Sequence, residues 1–158
     1  MAKIKMIRSG GQSGVDRAAL DAARSCKITI CGWCPKGGWA EDDPDPPGVT
    51  ARYPELQETP SIRVEQRTVW NVRDADATLI IAPEPSGASP GTELTAKAAT
   101  AFGKPCLIVR REDDAQEVLV WLAGLGDELI LNIAGPRESE CPGAYAKAIQ
   151  LLTKVFNA

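Results

Sequence analysis

The sequence contains no histidine. That absence removes Ser-His-Asp and Cys-His nucleophilic chemistry, imidazole acid–base catalysis and histidine-based metal triads together. Long apolar runs are missing as well: nothing approaches the roughly 18 residues of a membrane span, and residues 1–8 lack the apolar stretch of a signal peptide. A cytoplasmic protein with no membrane partner is expected. Positive charge is not in excess, since 18 Lys and Arg stand against 21 Asp and Glu for a net charge of -3. This argues against a nucleic-acid partner while leaving room for a local anion site. Five cysteines at irregular spacing make a disulfide framework a poor reading. There is no internal repeat and no low-complexity tract.

What is present fits one globular domain spanning residues 1–158, with 44% hydrophobic and 25% charged residues. Residues 4–8 read as a strand that runs into Ser9-Gly10-Gly11-Gln12-Ser13-Gly14. A helix from Val15 to Cys26 follows, its Val15, Ala18, Ala19, Ala22 and Ala23 on one stripe, Arg17 and Asp21 on the other face, and Ser13 as candidate cap with Asp16. A short strand at 28–33 precedes an irregular, Pro- and Gly-rich loop at 35–60. Loops that long are usually functional or disordered, and Trp39 and Tyr53 favour partial order. A helix at 64–74, a near-continuous apolar strand at 77–82 and a second glycine loop at 83–92 come next. That loop feeds a helix through Phe102, with Gly103 at its C-terminus. Further strands at 106–109 and 128–133 and helices carrying Val118–Leu125 and Tyr145–Phe156 complete the chain.

Strands alternating with helices predict an α/β fold of three layers, with a mainly parallel sheet of about five strands. The expected order is 2-1-3-4-5. It sets the first and third strands side by side, so that both glycine loops flank the crevice where open α/β sheets bind ligands.

Gly10-Gly11-Gln12-Ser13-Gly14 at a strand-to-helix junction suits phosphate, through outward amides and the helix dipole. It is neither a Walker sequence nor the dinucleotide fingerprint. Ser86-Gly87-Ala88-Ser89-Pro90-Gly91-Thr92 repeats the logic, against the plainer reading of helix capping by Ser89 or Thr92. Lys36, Arg67 and Arg73 are the cations expected nearest the crevice, and Thr68 and Asn71 add polar groups beside Arg67. The expected ligand set is therefore Gly10, Gly11, Gln12, Ser13, Gly14, Asp16, Arg17, Lys36, Arg67, Thr68, Asn71, Ser86, Gly87, Gly91 and Thr92. No catalytic residue and no protein-ligated metal is expected. Cys31 and Cys34 have redox or zinc spacing, but no helix start follows them, so buried thiols are the expected state.

Gly10-Gly11-Gln12-Ser13-Gly14-Val15-Asp16-Arg17-Ala18-Ala19-Leu20-Asp21, Gly32-Trp33-Cys34-Pro35-Lys36-Gly37, Ala40-Glu41-Asp42, Arg67-Thr68 and Asp74-Ala75-Asp76-Ala77-Thr78-Leu79-Ile80 together resemble the putative molybdenum carrier family. Gly91-Thr92 and Gly103-Lys104-Pro105 extend the likeness, which covers roughly residues 4 to 110. The resemblance implies a Rossmann-like domain, related to the lysine-decarboxylase-like and cytokinin-activating proteins, that binds nucleotides or nucleotide-like ligands. Expected from it are a carrier for a small phosphorylated, nucleotide-like ligand, with molybdenum cofactor (molybdopterin) as candidate cargo, and a homo-oligomer. The alternative is an enzyme resembling nucleoside-monophosphate phosphoribohydrolases. Their Pro-Gly-Gly-x-Gly-Thr-x-x-Glu motif would put its glutamate at Thr95, leaving Glu93 or Asp16 as the stand-in carboxylate.

Overall fold

A computed structural model of the protein describes residues 3–83 and 89–158. Five strands form one parallel sheet: β1 (Ile4–Arg8), β2 (Thr29–Cys31), β5 (Ala77–Ile81), β6 (Cys106–Val109) and β7 (Leu129–Ala134). A separate two-stranded parallel ribbon joins β3 (Trp33–Cys34) to β4 (Gln57–Glu58). The helices are α1 (Val15–Ser25), α2 (Val64–Arg73), α3 (Pro90–Ala101), α4 (Ala115–Leu125) and α5 (Ala144–Phe156). Among the described residues no helix is long and apolar enough to cross a membrane.

The sheet order is β2-β1-β7-β5-β6, which corrects the expected 2-1-3-4-5. The last strand lies between the first and the one at 77–81, so those two are not neighbours. Side-chain burial explains why. Leu129, Leu131 and Ile133 of β7 bury one face and Asn132 buries the other, a pattern that needs helices on both sides. In β6, by contrast, Ile108 is 45% exposed and suits an edge.

α1, α4 and α5 cover one face of the sheet and α2 and α3 the other, giving the three-layer, Rossmann-like arrangement. The larger core is on the α1–α5 side, where the small residues Ala18, Ala19, Ala22 and Ala23 let α1 approach α5 and bring Leu20, Leu151 and Leu152 to full burial. Each such leucine contributes about 1.5–3 kcal/mol of transfer free energy. A smaller cluster of Val72, Ala98 and Ala99 joins α2 to α3.

The segment at 35–60 is ordered. Val49, Tyr53 and Leu56 enter the main core, and a 3-10 turn spans Gly48–Ala51. Side chains tie it down: Arg17 pairs with Asp42 through two hydrogen bonds of 2.8 and 2.9 Å, and the Tyr53 hydroxyl donates to Asp21 at 2.5 Å. Arg17 is thus buried, and its partner is Asp42 rather than Asp21. The start of α1 also differs from expectation. Gly14, at φ +79°, takes the N-cap position without a side-chain cap, and Ser13 donates to Glu41 instead. At α3 the capping reading holds, with Ser89 Oγ accepting from the Thr92 amide at 3.2 Å.

Candidate functional site

A cavity of about 250 Å³ opens between α2 and α3 at the carboxyl ends of β1 and β7. That is just below the roughly 300–1,000 Å³ of typical ligand pockets. Gly10, Gln12 and Asp16 come from the first glycine loop and the opening turn of α1, and Arg67, Thr68 and Asn71 from α2. Ser89, Pro90, Gly91 and Thr95 come from the start of α3. Asn132, Gly135, Arg137 and Glu140 come from β7 and the segment after it. The first glycine loop and residues 89–91 at the end of the second therefore face one cavity across β7, even though β1 and β5 are not adjacent.

Asp16 and Arg67 are the charged pair inside it. Arg67 reaches from the middle of α2 to donate from Nη1 to the Gly10 carbonyl at 2.8 Å, and the same nitrogen is 3.8 Å from Asp16 Oδ2. Both side chains are about nine-tenths buried, at 10% and 11% exposure. Burial pushes the Asp16 carboxyl up to about 6, against the opposing pull of Arg67, the Gln12 amide, Arg17 and the Gly135 amide. Burial also pushes the Arg67 guanidinium below its ordinary value; Asp16 and Cys34 counter this, and Arg137 adds to it as a second cation. Glycine at position 10 is required by this approach, because a Cβ there would be 2.6 Å from Arg67 Nη1 and 2.9 Å from Asp16 Oδ2.

Several expected ligand groups are occupied elsewhere. Gly11 faces Leu56 and Val49, and its carbonyl accepts from Arg17 at 3.1 Å. The first-loop amides are largely turned inward, with the Gly11 N–H directed at Ser9 Oγ (3.5 Å), the Ser13 N–H at Gln12 Oε1 (2.9 Å) and the Val15 N–H at the Pro136 carbonyl (3.3 Å). Ser13, Gly14 and Arg17 do not line the cavity, and Arg17 holds Asp42. Lys36 is exposed and apart from it, and Arg73 lies over the Trp70 ring paired with Asp74. Asn71 lines the wall, but its amide is used on both sides: Oδ1 accepts from the Trp33 N–H at 2.8 Å and Nδ2 donates to the Trp33 carbonyl at 3.0 Å. Thr68 Oγ1 donates to the Val64 carbonyl at 3.1 Å. Gly91 borders the cavity, whereas Thr92 is buried without lining it. Ser86 and Gly87 lie outside the described residues.

Asn132, Gly135, Arg137 and Glu140 are absent from the expected set, because the expected order put their strand at the sheet edge. The signal was a single amide in the apolar run Leu129-Ile130-Leu131-Asn132-Ile133-Ala134. Asn132 Nδ2 donates to Thr78 Oγ1 at 3.3 Å, across the β5–β7 ladder. Gly135 is pressed against the Ile81 carbonyl, 2.1 Å from where a Cβ would stand. Of the carboxylates weighed for an enzyme, Glu93 is exposed and outside the lining, and Thr95 occupies the cavity wall with its hydroxyl donating to the Gly91 carbonyl at 2.8 Å.

Cys31 and Cys34 are free thiols. Burial pushes both up, Cys34 to about 11 with Glu58 adding to the effect, which is the opposite of an activated thiol. Among the described residues no group of three or more Cys, Asp or Glu is placed to hold a metal ion.

A solved structure of a putative molybdenum carrier protein from Syntrophus aciditrophicus SB is similar at 39% identity and a TM-score of 0.88, covering 99% of this chain and 97% of that one. No protein of curated function matches. The family model described as the circularly permutated YpsA SLOG family matches residues 7–156. The chain belongs to the circularly permutated YpsA SLOG family.

Proposed function

We propose that the cavity binds a small phosphorylated, nucleotide-like ligand and that the protein is a binding or carrier protein for it, with molybdenum cofactor (molybdopterin) as candidate cargo. One observation carries the reading. Arg67 is about nine-tenths buried inside the cavity, yet it spends one N–H on the Gly10 carbonyl and has no further hydrogen-bond partner among the described residues. Its remaining donors open on the cavity, where an anion can accept from them. Arg137 shares the cavity and carries like charge, and Gly91 opens the start of α3 with no side chain to block its amide. These features favour the anion near Arg67 and α3 rather than over the first-loop amides, of which those of Gly11 and Ser13 have internal acceptors. The name of the Syntrophus protein supports molybdenum as cargo.

Isothermal titration with nucleoside monophosphates, pterin monophosphate and inorganic phosphate tests this. Replacing Arg67 by Ala removes a charge-assisted contact of about 1.5–3 kcal/mol, or tenfold to a hundredfold in affinity. A folded Arg67→Ala protein that binds as well as the parent refutes the assignment.

A second reading rests on Asp16. A carboxylate at about 6 in a cavity wall is suited to general acid–base work near neutral pH. In a phosphoribohydrolase it would take a proton from the water that attacks the sugar C1′ as the bond to the base breaks. Base release from a nucleoside monophosphate, abolished by Asp16→Asn, would establish it.

A further inference from the structure

Arg67 accounts for an anion but leaves Asp16 unexplained. Burying a carboxylate beside the place where an anion binds is unfavourable by charge and by desolvation. Arg67 does not justify it, since the 3.8 Å separation is too long for a hydrogen bond and the guanidinium's close contact is the Gly10 carbonyl. Of the other carboxylates in the wall, Glu65 is exposed and Glu140 pairs with Arg137, which leaves Asp16 as the buried one. Gln12 Oε1 already accepts from the Ser13 and Glu41 amides, and Asn71 Oδ1 accepts from Trp33. An ionised carboxylate has about four lone-pair sites and no donor. Asp16 is therefore the strong acceptor that the cavity offers to something carrying N–H or O–H groups.

Its position restricts what that is. Arg67 Nη1 and Asp16 Oδ2 are 3.8 Å apart, so an anion on the free nitrogens of Arg67 and a donor on Asp16 belong to neighbouring parts of one ligand. A sugar hydroxyl pair next to its own phosphate spans that gap.

Resting on the ligand reading above, we propose that Asp16 accepts hydrogen bonds from a vicinal hydroxyl pair of the ligand, so that the cavity selects a phosphorylated ribose over its deoxy counterparts. Gly10 is the residue that lets the phosphate anchor and the hydroxyl reader stand this close. The charges acting on Asp16 are Arg67 from α2 and Arg17 from its own helix, with the Gln12 and Gly135 amides; Arg137 and Cys34 act on Arg67 in turn.

The experiment is titration calorimetry of the full chain with adenosine 5′-monophosphate, its 2′-deoxy and 2′,3′-dideoxy forms, guanosine 5′-monophosphate and inorganic phosphate. Loss of both hydroxyls is expected to weaken binding tenfold to a hundredfold, and adenosine and guanosine forms should bind alike. In Asp16→Asn the ribose-to-dideoxyribose ratio collapses toward one. In the parent the same ratio falls as pH drops through about 6, where Asp16 takes up a proton and loses acceptor strength. The ligand-side comparison needs no mutation, so it stands even if a variant folds poorly. Equal binding of ribose and dideoxyribose forms by the parent overturns the hydroxyl assignment while leaving the anion site standing. Preference for guanosine irrespective of the sugar overturns it in favour of a base edge. Failure of every probe to bind removes the ligand reading and this assignment together.

Discussion

Asp16→Asn should stabilise the protein at neutral pH. The carboxyl rises from an ordinary value of 3.8 to about 6 in the fold, a difference that corresponds to about 3 kcal/mol. The sign follows from proton binding. Between pH 4 and 6 the unfolded chain has released this proton and the native state still holds it, so native stability falls as pH rises through that window and stays lower above it. Asparagine keeps an oxygen for the Gln12 and Gly135 amides without the charge, and Arg67 keeps its bond to Gly10. In a chain of 158 residues each kcal/mol moves the melting temperature by roughly 2–4 °C. The variant should therefore melt up to about 6–12 °C above the parent at pH 7.5, with the gap closing near pH 4. Thermal unfolding followed by circular dichroism across that range measures it. A variant less stable than the parent at pH 7.5 would show that attraction to Arg67 outweighs burial; Asp16 would then be a structural ion-pair partner with no need of a ligand.

Gly135→Ala forces a Cβ to within 2.1 Å of the Ile81 carbonyl and 2.7 Å of Val15, so β7 must shift; urea denaturation should show a loss of about 1–3 kcal/mol, and ligand binding should weaken with it. Arg17→Ala should cost stability of a similar order by leaving the Gly11 carbonyl and Asp42 without their fork of donors. Arg17→Lys should not restore it, because an ammonium cannot reproduce the planar pairing. Cys34, held up at about 11, should resist iodoacetamide at pH 8 in the native protein and react on unfolding, as read by peptide mass.

Element types were legible because the apolar pattern is clear: the alanine stripe of α1 and the near-continuous apolar run of β5 admit one interpretation each. Strand order was not. Residues 129–134 and 77–81 look alike as buried strands, and hydrophobicity does not say which neighbour each one takes. The cavity was half legible. Gly10 and Arg67 were reached through the loop chemistry and the polar cluster on α2, but Arg137 and Asn132 depended on the order. Arg17, Ser13 and Asn71 look like ligand groups in the sequence, yet they bind Asp42, Glu41 and Trp33, partners 25 to 38 residues away. Local pattern carries no information on such pairings.

Glu41 makes the segment at 35–60 more than a surface loop. Its carboxylate accepts from Ser13, ahead of α1, and from the Ser139 amide at 3.1 Å and hydroxyl at 2.5 Å, in the segment after β7. Ser13 in turn accepts from the Glu138 amide at 3.1 Å. Two of the stretches that border the cavity are thus splinted together from outside, and Arg17 with Asp42 fastens the splint to α1. That side of the cleft is thus held together by its own hydrogen bonds. A ligand meets it already assembled, so little conformational entropy is lost there on binding.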